Sequence, residues 1–78
     1  MTVFVLKKTN MLGGNDSIEI FDTKEKAMRE LENKVDYQMI MNKNLEHNVY
    51  ELGDCVELID VEEDYLCIRY RILECTVQ

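Results

Sequence analysis

One histidine, three cysteines, a dense run of carboxylates and two alternating arginines are the side chains of this 78-residue chain with chemistry to offer. Nucleophilic catalysis would need His47 within hydrogen-bond reach of Cys55, Cys67 or Cys75, inside a partly closed site. His47 stands in LEHN beside Glu46, a stretch that reads as an exposed loop, and no local pattern brings a cysteine to it. Most of the cysteines fall mid-strand, away from a helix N-terminus that would lower a thiol pKa. Their spacing fits no zinc motif, and an odd count leaves at least one unpaired, unlike a secreted disulfide scaffold. No metal, no cofactor and no catalytic residue is expected.

The carboxylates make the stronger pattern. Residues 1–43 balance seven acids against seven bases. From Asn44 to Ile68 there are eight acids, Glu46, Glu51, Asp54, Glu57, Asp60, Glu62, Glu63 and Asp64, and no lysine or arginine. Their order misses the EF-hand spacing and its glycine, and a hairpin tip is convex where paired glycosidic carboxylates need a cleft. Gly13-Gly14 lacks the rest of a phosphate loop, and Asn15-Asp16 would bring negative charge to it, so a turn is the better reading.

A net charge of −7 disfavours nucleic acid, whose phosphates demand basic neutralisation, and disfavours anionic membrane for the same reason. It suits a basic protein surface, reached by steering and charge complementarity, and a nucleic-acid-binding protein is one such partner. The candidate partner-binding residues are Glu51, Asp54, Glu57, Asp60, Glu62, Glu63 and Asp64. A second candidate surface, for a homodimer, is Tyr65 with Arg69 and Arg71, because aromatic and arginine side chains recur in interface hot spots.

The elements that must position these groups follow from pattern. Seventy-eight residues with 46% apolar and 32% charged content make one small globular domain, and the absence of proline argues against a linker. No apolar run is long enough to span a bilayer, and the start lacks the basic region of a signal peptide, so a cytoplasmic location is expected. TVFVLKKT reads as a first strand, GGND as a turn, and SIEIF as a returning strand with Ile18 and Ile20 facing inward beside Phe4 and Leu6. FDTKEKAMRELENK reads as a helix over 23–34, capped by Asp22 with Glu25 in capping-box position, and with Ala27, Met28, Leu31 and Val35 on one stripe. Residues 35–41 are ambiguous and NKNLEHN reads as a loop.

CVELID and YLCIRYRIL form the last hairpin. A three-residue loop would set Val56, Leu58 and Asp60 opposite Tyr70, Ile68 and Leu66, and Glu57 opposite Arg69. The expected fold is α+β: a four-stranded antiparallel sheet in β-β-α-β-β order with one helix packed on one face. The other face would carry Val3, Val5, Lys7, Phe21, Cys55, Glu57, Ile59, Tyr65, Cys67, Arg69, Arg71 and Leu73. That half-apolar character suggests a covered face, either by another copy or by residues 35–50.

In size, acidity and mix of elements the chain resembles the small acidic α+β proteins of phages and mobile elements. The resemblance carries no motif and implies only an inhibitor acting on a partner. Two readings stand. The first is a non-enzymatic protein-binding module, an inhibitor offering carboxylates where a basic partner expects phosphates. The second is a small structural or housekeeping domain whose acids serve solubility.

Overall fold

A computed structural model of the chain describes residues 1–11, 13–50 and 54–77. Five strands and one helix follow in the order β1 (Thr2–Asn10), β2 (Ser17–Phe21), α1 (Lys24–Met41), β3 (Leu45–Tyr50), β4 (Cys55–Asp60) and β5 (Tyr65–Thr76). The sheet is antiparallel throughout, with spatial order β2-β1-β5-β4-β3. The expected four-stranded sheet is therefore wrong by one strand, and the missing strand is β3.

NKNLEHN hides that strand. Asn42 forms a turn in which its Oδ1 accepts the Asn44 N–H at 3.0 Å. Leu45 then enters the sheet opposite Asp60 and is buried, while Glu46 and His47 stay exposed. A stretch such as NKNLEHN, with one strongly apolar residue among three asparagines, has the composition of a loop.

The helix also runs past its expected end at Lys34, to Met41. Geometry requires it. It connects β2 at one edge to β3 at the other, a lateral distance of about 19 Å at the usual strand spacing. Twelve helical residues reach about 18 Å and eighteen reach about 27 Å, enough for a diagonal crossing. Its N-cap is Thr23, whose Oγ1 accepts the Lys26 N–H at 3.2 Å, rather than Asp22. Asp22 instead pairs with Lys26 (2.9 Å), and the hydrogen bond from that ammonium holds its carboxyl below the ordinary value.

Ala27, Leu31 and Val35 of α1 pack on Leu6, Leu45, Val56, Leu58, Ile68, Tyr70 and Ile72 of the sheet. Ala27 is fully buried, and its small side chain lets the helix approach closely. Full burial of a Leu or Ile contributes about 1.5–3 kcal/mol, so these few residues carry most of the stability.

The β1–β2 register reverses one expectation. Phe21 lies opposite Phe4 and Glu19 opposite Leu6, all on the helix side, so Ile18 and Ile20 point outward opposite Lys7 and Val5. Two features permit this: Phe21 packs against the core, and Lys34 of the helix reaches Glu19 at 2.7 Å. In the β1–β2 turn Gly13 has φ 85°, and a Cβ on Gly14 would collide with the Asn10 side-chain amide.

The last hairpin keeps its expected register where it meets the core, with Val56 opposite Tyr70, Glu57 opposite Arg69 and Leu58 opposite Ile68. Beyond Leu58 a bulge inserts one extra residue, Cys67, into β5. The pairs become Ile59 with Leu66 and Asp60 with Tyr65, and the loop has four residues, 61–64, rather than three. Asp64, at φ 54°, closes it by donating its N–H to the Asp60 carbonyl at 2.8 Å. The parity change takes Tyr65 to the helix side and sinks Cys67 into the core. Phe21, Tyr65 and Cys67 thus leave the expected outer face, and Ile18, Ile20 and Leu66 join it.

Candidate functional site

Asp60 organises the acidic hairpin from within. Its carboxylate is buried, and Oδ1 accepts the N–H groups of Glu62 (2.9 Å) and Glu63 (3.0 Å). An aspartate at the start of a tight loop bonds the backbone two and three residues on and so stands in for a further peptide group. With the backbone held, Glu62, Glu63 and Asp64 all turn to solvent. Among the described residues, none of these three takes part in an ion pair.

The other candidate acids are dispersed. Asp54 lies at the far end of β4, about 20 Å along the strand from the loop, where Lys24 Nζ approaches Oδ1 at 3.2 Å and ties the helix start to the sheet. Glu57 accepts two bonds from Arg69, from Nε at 2.8 Å and Nη2 at 2.6 Å. Glu51 lies outside the described residues. Three of the seven candidates therefore gather at one tip, and Asp54, Glu57 and Asp60 have partners within the fold.

More negative potential reaches the same end from elements that sequence reasoning did not connect to it. The β1–β2 loop returns there, because Asn10 lies opposite Ile68 and Met11 N–H bonds the Cys67 carbonyl at 2.9 Å. That loop carries exposed Asp16, whose Oδ1 accepts the Asn10 N–H at 2.9 Å. The helix also ends there without a basic residue in its last turn, and Val61 N–H bonds the Asn44 carbonyl just beyond it. The carbonyl end of a helix is the negative end of its dipole. Exposed Lys43 is the cation that this connection brings to the same region.

The candidate dimer residues do not share a side. Arg69 and Arg71 project from the face away from the helix, and Tyr65 shares the helix side with Asp60. Desolvation, then the nearby Cys67, Asp60 and Glu63, raise the Tyr65 hydroxyl pKa above its ordinary value. On the outer face Lys7 stands opposite Arg71, between the row Ile20–Val5–Leu73 and the row Thr9–Arg69–Glu57. Leu66 and Ile59 follow toward the acidic tip.

His47 lines a groove of about 280 Å³ between helix and sheet, with Met28, Glu32, Val35 and Asp36. The cysteines lie elsewhere: Cys67 is in the core, Cys55 is half-buried on the outer face, and Cys75 is exposed near the end of β5. Among the described residues no three His, Cys, Asp or Glu side chains are grouped to hold a metal ion, and no helix is long and apolar enough to cross a membrane.

The protein is of the class with a five-stranded antiparallel sheet, one crossover helix on one face and an acidic hairpin at one end. Compared with protein-family models, with curated proteins and with solved structures, the chain matches none.

Proposed function

We propose that this protein is a non-enzymatic protein-binding module whose acidic hairpin tip engages a basic surface on a partner protein. It acts as an inhibitor, offering carboxylates where the partner takes phosphates. The observation that carries the reading is the exposed triplet Glu62, Glu63 and Asp64, held on a loop whose shape is set by buried Asp60. A pre-shaped anionic loop loses little conformational freedom on binding, and the charge around it speeds encounter with a cationic site. A partner that binds nucleic acid in its own right has the required surface.

The experiment is affinity capture from the source cell with the wild-type chain and with Glu62→Lys/Glu63→Lys/Asp64→Lys. A basic protein retained by the first and released by the second supports the reading; equal retention by both contradicts it. The competing reading, a housekeeping domain whose acids serve the fold and its solubility, draws on the internal partners of Asp54, Glu57 and Asp60.

A further inference from the structure

We infer that β2 is a self-pairing edge, and that two copies join there in antiparallel register across a two-fold axis at Glu19 to form one ten-stranded sheet. Both β2 and β3 lie at sheet edges, but they are guarded differently. β3 presents exposed Glu46 and His47, the kind of polar side chains that discourage pairing. β2 reads Ser-Ile-Glu-Ile-Phe, with no lysine, proline or bulge, and its Ile18 and Ile20 are 64% and 67% exposed. An open row of backbone donors and acceptors beside two exposed isoleucines is a template for another strand.

The strand is complementary to itself in one register. With Glu19 on the axis, Ile18 of each copy faces Ile20 of the other, and four isoleucines close into one apolar cluster on the outer face. Centring on Ile18 would set Ile20 against Asp16, and centring on Ile20 would set Ile18 against Asp22; each wastes one isoleucine. On the helix side the two Glu19 carboxylates meet, and each already has a Lys34 ammonium at 2.7 Å, so the axis holds two acids and two bases. Ser17 then faces Phe21 of the other copy, beside the groove that Ser17, Lys34 and Tyr37 line. This closed, isologous arrangement consumes the exposed edge and leaves no open template on that side.

Five paired residues bury less than the roughly 1,200 Å² of a standard stable interface, so the association is weak and concentration-dependent. The pairing uses none of the residues of the acidic tip, and either proposal can fail without the other. The test is sedimentation velocity of the full chain over a concentration series, with Ile18→Lys and Ile20→Lys as separate variants and hydrogen exchange on the wild type. The expected result is a reversible dimer, β2 amides that gain protection as concentration rises, and dissociation at least about tenfold easier in either variant, with Ile20→Lys, which faces Val5 rather than Lys7, keeping the wild-type melting temperature at concentrations where both are monomeric. A monomer at every concentration overturns the inference. So does a dimer that both lysine variants leave intact, since its interface would then lie elsewhere, on the outer face or against a different strand.

Discussion

Lys7 of β1 lies directly opposite Arg71 of β5 on the sheet face away from the helix, and among the described residues neither joins an ion pair. Like charges at directly opposed positions repel. Lys7→Glu replaces that repulsion with an attractive pair and should stabilise the fold by about 0.2–1 kcal/mol. A urea midpoint that rises at constant slope checks this. A lower midpoint would mean that the two cations are already satisfied by another arrangement.

Asp60 is a loop-shaping residue before it is anything else. Asp60→Ala removes a charged acceptor shared by two part-buried backbone hydrogen bonds and should cost about 1–3 kcal/mol. Asp60→Asn keeps one oxygen in place and should cost less. If the two variants unfold at the same urea concentration, the oxygen does not hold the turn.

The helix start offers a sharper contrast. Thr23→Ala should lose about 1 kcal/mol, as N-cap substitutions do. Asp22→Ala loses only an exposed, solvent-screened pair with Lys26 and should leave stability nearly unchanged. Thermal denaturation of the two variants side by side decides which residue caps the helix.

Alkali should weaken the fold. The hydrogen bond to Glu19 raises the Lys34 pKa above its ordinary 10.5, and burial raises that of Tyr70 above its ordinary 10.0. Both groups hold their protons more tightly folded than unfolded, so their contribution is complete below about pH 10 and is lost as pH rises past it. Tyr70→Phe should flatten the part of this decline that Tyr70 causes and leave the part due to Lys34. A stability curve that is level above pH 10 would contradict both assignments.

Much of the fold was legible because local pattern and tertiary packing agreed. The Ala27–Leu31–Val35 stripe, the turn at Gly13-Gly14 and the Glu57–Arg69 pair each follow from spacing that the core also demands. Three features were not legible, each for a physical reason. β3 is an edge strand that opens on a lone leucine, Leu45, followed by Glu46, His47 and Asn48. The outward turn of Ile18 and Ile20 depends on Lys34 reaching Glu19 from a helix sixteen to fourteen residues further on, which no local alternation contains. The bulge at Cys67 changes parity within a strand that alternates on paper without a break, and it alone separates Tyr65 from Arg69 and Arg71.

The candidate site was legible in charge and not in geometry. The acidic run from Asn44 to Ile68 is plain in the sequence. That Lys24 would take Asp54 depends on a contact across the fold, and the grip of Asp60 on the loop backbone depends on the four-residue turn that the bulge creates; the Glu57–Arg69 pair was the part of the site readable from spacing. What remains outward is a compact triplet, with Asp16 and the helix C-terminus joining it from distant parts of the chain.

The most direct measurement is the affinity of the captured basic partner for this protein over a salt series, with the wild-type chain and with the triple lysine variant at positions 62, 63 and 64. A tip that reads a cationic surface predicts affinity that falls steeply with salt, and a variant that binds at least about tenfold more weakly with a shallower dependence. Equal affinity and equal salt dependence for the two proteins would contradict it.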